Sequence, residues 1–415
     1  MRLASTSVYI LVSTIFSVLS SFIIAKFIAS FCGVVTYGLY GQFLSFVALV
    51  QVFSGGIFRN GVVKYTSQFR EKKETLDLII SSASSVSFLM SILTGVVVII
   101  FAKYLAVLTF NSIDYIWVFY LFGVTLWGYV INNFVLAVLN GLNKMFDYMI
   151  LSIISSVMSI IAIPFMVYKY STNGVISGFI LGQVLMFVAT LIYSYRLNVK
   201  MSLFSIRMKV SIIKRLVKFS VMSVFAAICL PLSLIIVRLY VASNSSWSEV
   251  GYWDAMNKVS NAYLIIFTTI IAAYTIPKYS AIKKSDLLKE EVLKLLMIFV
   301  PFVAFSALII FFLKKVVIVV LFSREFMPMS ILFHFQLIGD IFMIASWIVI
   351  NAFMAKGKIL IYIILQITSS VILMILSLVF FKIFGLEGLS FGFMVTYIIC
   401  FIIYILLFFY IFKKV

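Results

Sequence analysis

The chain has little of what enzymes and secreted domains are commonly built from. One histidine, His334, and three cysteines, Cys32, Cys229 and Cys400, are scattered over 415 residues. They show no metal-ligand spacing, and no nucleophile and base can be assembled around His334. No metal site, no disulfide and no cofactor is expected, and an enzyme is hard to support. Charge is scarce as well, at 11% of residues against about 25% in an ordinary soluble domain. Acids are the scarcer sign: 13 against 32 basic residues, a formal net charge of +19. The basic residues stand in short segments between apolar runs. That placement points to anionic lipid and membrane orientation, not to nucleic acid.

Apolar residues dominate what is present. They make up 64% of the chain, with 43 Phe and 22 Tyr and a mean hydropathy of +1.22, more than a soluble fold can bury. A span length of about 20 residues predicts an all-α membrane protein with twelve transmembrane helices. The first six lie near 8–29, 39–58, 78–102, 115–139, 148–168 and 175–195, the second six near 217–241, 252–276, 295–313, 331–353, 359–381 and 389–412. The first segment follows Arg2 but shows no small-residue cleavage site before Lys26, so it reads as an uncleaved span and not as a signal peptide.

The twelve spans divide evenly. Gly61-Val62-Val63-Lys64-Tyr65-Thr66-Ser67 returns as Thr275-Ile276-Pro277-Lys278-Tyr279-Ser280-Ala281, and Asn173-Gly174-Val175-Ile176-Ser177-Gly178-Phe179 returns as Glu387-Gly388-Leu389-Ser390-Phe391-Gly392-Phe393, both after 214 residues. One six-helix unit written twice predicts two lobes, 1–195 and 217–415, related by a pseudo-two-fold axis along the membrane normal, with 196–216 as a basic cytoplasmic linker. Internal repeats of this kind are characteristic of transporters. The linker alternates apolar and basic residues, as in Phe204-Ser205-Ile206-Arg207-Met208-Lys209. It suits an interfacial helix and equally a solvated tether.

Basic residues set the orientation. With the N-terminus inside, the cytoplasmic segments collect Arg59, Lys64, Arg70, Lys72 and Lys73, the linker cations, and Lys278, Lys283, Lys284, Lys289 and Lys294. The outer segments hold only Lys103, Lys169, Lys314, Lys315, Arg324 and Lys382. Both termini are therefore expected in the cytoplasm.

Five ionisable residues fall inside spans: Lys26, Arg238, Asp254, Lys258 and Asp340. Each needs a reason, because a charge at the bilayer centre costs at least about 2.5–3.5 kcal/mol. Lys26 and Arg238 differ by 212 and so occupy nearly the same place in the two repeats, roughly 27–30 Å from the inner end at 1.5 Å per residue. They read either as paired cations across a central cleft, able to hold phosphate, or as side chains snorkelling to the outer headgroups. Asp254 and Lys258, four apart, can neutralise each other on one helix. Asp254, Asn257, Lys258, Asn261, Thr268 and Thr275 form a polar stripe on the eighth span, suited to water and sugar or to helix packing. Gln336, Asp340, Trp347 and Asn351 share one face of the tenth, a candidate carbohydrate-facing wall. Asp340 lies near mid-membrane, where it either couples transport to protons or pairs with Arg238 or Lys258. Arg59 and Lys64 are positive-inside anchors or part of a cytoplasmic doorway for an anionic headgroup.

Three segments carry a family resemblance: Gly56-Ile57-Phe58-Arg59-Asn60-Gly61-Val62-Val63-Lys64-Tyr65, Trp247-Ser248-Glu249-Val250-Gly251-Tyr252-Trp253 and Phe335-Gln336-Leu337-Ile338-Gly339-Asp340. The chain resembles, over nearly its whole length, the Wzx-type flippases of the multidrug, oligosaccharidyl-lipid and polysaccharide exporter superfamily. The resemblance implies two six-helix lobes around a central cavity in the bacterial inner membrane. It also implies translocation of an undecaprenyl-diphosphate-linked oligosaccharide, with the polymerase and chain-length regulator of surface-glycan synthesis as partners. Lys26, Arg238 and Asp340 match charged positions of such flippases. Asp254 and Lys258 depart from the common-antigen branch, which favours an O-antigen unit carrying acidic or amino sugars. On this reading Lys26, Arg238, Lys258, Arg59 and Lys64 are substrate-binding cations, Asn257, Asn261, Gln336, Trp347 and Asn351 line the glycan path, and Asp340 with Asp254 couples the cycle. The alternatives are a multidrug exporter of the same superfamily, expected to carry an excess of cavity acids, and a polysaccharide polymerase or ligase, for which the outer loops are too short. A purely structural membrane protein has no use for the intramembrane charges.

Overall fold

The computed structural model describes residues 2–196 and 209–413; most of the expected linker lies outside them. The first half runs α1 (Arg2–Phe31), α2 (Gly33–Phe53), a 3-10 turn (Gly56–Phe58), α3 (Arg59–Gln68), α4 (Lys73–Ile100), α5 (Ala102–Phe110), α6 (Ile116–Gly141), α7 (Met145–Tyr170) and α8 (Asn173–Arg196). The second runs α9 (Val210–Asn244), α10 (Trp247–Ala281), α11 (Ser285–Phe312), α12 (Lys314–Leu321), α13 (Phe333–Ala355), α14 (Ile359–Phe384) and α15 (Leu386–Ile411). Twelve of these helices are long and apolar enough to span a bilayer, so the chain is an all-α, multi-pass membrane protein.

The second span differs from its sequence reading by about six residues at its start. Gly33, at φ +76°, permits a sharp turn directly after α1, so α2 begins there and ends at Phe53. A lone glycine in a long apolar run gives no such warning.

Burial is arranged for lipid and not for water. On α1 Leu11, Ile15, Leu19 and Ile23, four residues apart, stay exposed, an apolar stripe one face wide. On α4 the inward face is instead small and polar: Ser84, Ser87, Ser91 and Gly95 are buried. The Ser84 and Ser91 hydroxyls donate back to the carbonyls of Ser81 and Phe88, at 3.0 and 2.7 Å. A Cβ on Gly95 would stand 2.5 Å from the Gly123 carbonyl oxygen. Helices in lipid gain nothing from hiding apolar surface from one another, so close approach of small residues is what holds α4 to α6.

The chain divides into two compact units, 1–32 with 42–231, and 33–41 with 232–415. α6 in the first and α13 in the second are largely buried along their length. The two are repeat mates at the 214-residue offset. α13 is the spine of its unit, where Ile344, Ile348, Val349 and Phe353 meet Leu264, Leu295, Leu365 and Phe408 in one core.

The repeat is visible in backbone detail. Asn143 and Gly357 both take positive φ, 59° and 69°, after α6 and α13. Ser171 (φ 52°, ψ −132°) and Gly385 (φ 59°, ψ −139°) turn α7 into α8 and α14 into α15 in the same conformation. A Cβ on Gly178 would stand 2.6 Å from the Cα of Ile163, and one on Gly392 would stand 2.9 Å from the nitrogen of Ser377; glycines and contacts alike are 214 apart. Thr66 against Gly141 is matched by Ser280, whose hydroxyl donates to the Ala355 carbonyl at 3.2 Å. Ser171 therefore holds a glycine conformation without being glycine, a strain of about 1–3 kcal/mol. Ser171→Gly is expected to raise thermal stability by about 1 kcal/mol; a lower unfolding temperature in detergent would show that the site is not strained.

Candidate functional site

In the second unit the polar residues inside the spans are brought together between neighbouring helices; in the first they stand apart. In the second, the Arg238 guanidinium on α9 grips the Asp254 carboxylate on α10. Nη2 lies 2.8 Å from Oδ1, and Nε donates to Oδ1 and Oδ2 at 2.9 and 3.0 Å. Both side chains are over nine-tenths buried, and the guanidinium carbon is 5.8 Å from the Trp253 ring centre. Gly41 makes room for the pair, since a Cβ there would overlap the Asp254 carboxylate. Asp254 thus takes its bidentate partner from another helix, while Lys258, its expected neighbour, lies half-buried one turn further on.

Below this pair α10 and α13 are joined by polar contacts. Gln336 Nε2 donates to Asn257 Oδ1 at 3.4 Å, and Asn351 Nδ2 donates to Thr275 Oγ1 at 3.3 Å. Between them Asp340, fully buried, accepts hydroxyls from Ser260 at 2.8 Å and Tyr263 at 2.7 Å, both on Oδ2. Oδ1 is buried without a hydrogen-bond partner among the described residues. Gln336 and Asn351, expected on a glycan-facing wall, are spent largely on α10. Trp347 and Asn257 are half-buried and Asn261 is exposed, while Thr268 bonds back to its own helix at Ile265. The sequence stripe therefore merged two faces of α10. Ser260 and Tyr263, which it passed over, follow Asn257 at steps of three, the signal that could have found them.

In the first unit Lys26 is half-buried on α1 between the buried Ala25 and Ile28. Lys64 is exposed, 5.7 Å from the Tyr65 ring centre. Arg59 and Asn60, also exposed, open a cavity of about 170 Å³ at the break between α2 and α3, where Gln51, Ser87 and Asn133 complete the polar lining and Val52, Ile57, Val130 and Phe134 the apolar part. The break itself went unread in the sequence, although Gly55-Gly56 marks it.

Comparison with known proteins agrees with this architecture. A family model described as polysaccharide biosynthesis protein matches residues 3–283. The lipid III flippases of Escherichia coli (strain K12) and Shigella flexneri are each 25% identical over 402 residues, covering 97% of this chain and 97% of theirs. Among solved structures, an inward-facing MATE multidrug resistance transporter of the MOP superfamily superposes with a TM-score of 0.75 at 15% identity, covering 97% of this chain and 96% of its own. The lipid II flippase MurJ in an inward closed conformation gives 0.72 at 17%, covering 99% and 88%. At these identities the structural matches speak for the fold alone.

Proposed function

We propose that this chain, which belongs to the polysaccharide biosynthesis protein family, is a flippase that moves a lipid-linked oligosaccharide from the inner to the outer leaflet by alternating access. The observation that carries this reading is the end-to-end similarity to two lipid III flippases. The physical chemistry agrees. A diphosphate cannot cross hydrocarbon unaided, whereas a glycan-bearing headgroup can travel along cations and amides while its prenyl tail stays in the bilayer.

In this reading Lys26, Arg238 and Lys258 attract the diphosphate or acidic sugars. Asn257, Asn261 and Trp347 meet the glycan, and Gln336 and Asn351 hold the helices that present them. Asp340 couples the cycle to an ion gradient through a proton shared among its carboxylate, Ser260 and Tyr263, with the Arg238–Asp254 pair setting the charge above it. In this reading both termini face the cytoplasm, which the distribution of basic residues favours, and the chain lies in a bacterial inner membrane. The flipped unit would pass to the polymerase and chain-length regulator of the same pathway. A multidrug exporter shares the fold, yet three intramembrane cations against two acids suit an anionic cargo better than cationic drugs.

The test is complementation. Expressed in flippase-deleted strains of known O-antigen or common-antigen type, the chain should restore surface glycan in one of them. Restoration in none, together with a gain of drug resistance, would move the reading to the exporter.

A further inference from the structure

The repeat fails at one place in a way that leaves a cavity. In the second half α10 runs unbroken from Trp247 to Ala281. Its counterpart in the first half stops at Phe53, turns through Gly55 at φ +115°, and resumes as α3. The break follows the end of the second span, and its non-helical backbone lines the cavity. Every polar residue lining this one is replaced by an apolar or aromatic residue 214 positions later: Gln51 by Ile265, Arg59 by Ala273, Asn60 by Tyr274, Ser87 by Pro301 and Asn133 by Trp347. The fold, which the two halves share, does not require these polar groups.

Ser87 supplies a second, independent sign. Its neighbours Ser84 and Ser91 satisfy their hydroxyls on their own helix. Ser87, 3% exposed, lines the cavity with an Oγ that has no hydrogen-bond partner among the described residues. Gly55 is pressed against it, since a Cβ on that glycine would stand 2.9 Å from the Ser87 Cβ. A buried hydroxyl left unsatisfied is costly, and a ligand oxygen would satisfy it.

We propose that this cavity binds a phosphate ester at the end of an apolar chain. Arg59 supplies the charge, Ser87, Asn60 and the second amide hydrogen of Asn133, whose first goes to the Tyr129 carbonyl at 3.0 Å, supply donors, and Val52, Ile57, Val130 and Phe134 receive the first carbons of the tail. The guanidinium suits this role because charge-assisted bonds to phosphate are roughly twice as strong as neutral ones. Size limits the occupant. The cavity, about 170 Å³, is well short of the roughly 300–1,000 Å³ of a pocket for a larger ligand, so it takes a headgroup and leaves the glycan outside. Two sources share this chemistry, the prenyl diphosphate of a transported lipid and the headgroup of a bilayer phospholipid. Only the first rests on the flippase reading.

The full-length chain in phosphatidylcholine nanodiscs would be titrated with geranylgeranyl diphosphate and with geranylgeraniol, and the phosphatidylglycerol retained from mixed micelles would be counted by native mass spectrometry. The expected result is binding that needs the phosphate and weakens at least about tenfold, about 1.4 kcal/mol, in both Arg59→Gln and Asn133→Leu. Lys72→Gln, an exposed cation away from the cavity, should bind as wild type. Asn133→Leu fills the cavity at a helix position whose repeat mate is Trp347, and ligand-free melting checks that each variant folds. Loss confined to the prenyl diphosphate identifies the cargo, and loss confined to phosphatidylglycerol identifies a resident lipid. Wild-type binding of both by the two variants, or binding of the alcohol as tightly as the diphosphate, overturns the proposal. Complementation by the wild-type chain is scored separately, so failure of the flippase reading is not mistaken for failure of the cavity.

Discussion

Arg238→Ala is expected to stop translocation while the protein still inserts. A charge-assisted hydrogen bond is worth about 1.5–3 kcal/mol, which at 1.36 kcal/mol per factor of ten predicts a fall of roughly 10- to 150-fold in surface glycan delivered per molecule. The single variant carries a structural penalty too, because it strands Asp254 in the interior; breaking a buried pair from one side costs about 3–5 kcal/mol. The double variant Arg238→Ala/Asp254→Ala separates the two effects. With both charges gone neither member of the pair is stranded, and melting should recover in part, short of wild type by the cost of the space left by two truncated side chains and of the carboxylate lost to Lys258. Transport should stay low in the double variant if the guanidinium meets the cargo. Transport that recovers along with stability would reduce Arg238 to a structural partner of Asp254.

Asp340→Asn is expected to remove the response of transport to an imposed pH or ion gradient, with headgroup binding kept. Asparagine retains an oxygen that can accept from Ser260 and Tyr263, which hold Oδ2 at 2.8 and 2.7 Å, so the join between α10 and α13 should survive. What it loses is the charge and the exchangeable proton at a site that is fully buried. In proteoliposomes, flipping of a fluorescent prenyl-diphosphate glycan by the variant should run at the same rate with and without the gradient. A gradient response equal to wild type would remove Asp340 from coupling. Tyr263→Phe, which deletes one of the two donors, should weaken the response without abolishing it.

Much of the scaffold could be read from residues alone, because a bilayer demands long apolar helices and a duplicated gene writes its turns twice. The spans follow from the first constraint. The second ties Gly178 to Gly392, and the structure extends it to Ser171 and Gly385, where the same backbone turn is made by two different residues. The charges were also legible as the unusual residues of their helices. Their partners were not. Asp254 has Lys258 four residues away, but Arg238 takes it, because Gly41 leaves space and α9 brings a guanidinium within 2.8 Å. Helix crossing and rotation decide such pairings, and a single sequence does not carry them. Asp340 shows the same limit: neither cation reaches it as an ion pair among the described residues, and two hydroxyls hold it instead. The cavity at Gly55-Gly56 was hidden for another reason, since it is defined by what its repeat mate lacks.

Each half closes on a helical hairpin whose connection is nearly nothing, two residues after Tyr170 and a single glycine after Phe384. The consequence reaches back to how the chain is made. Two apolar helices joined so tightly leave no loop whose charge could choose a side between them, which favours their entering the membrane as a pair. Lengthening either connection by a flexible insert should first disturb the fraction of newly made chains that reach their correct topology, before it touches the rate at which finished molecules work.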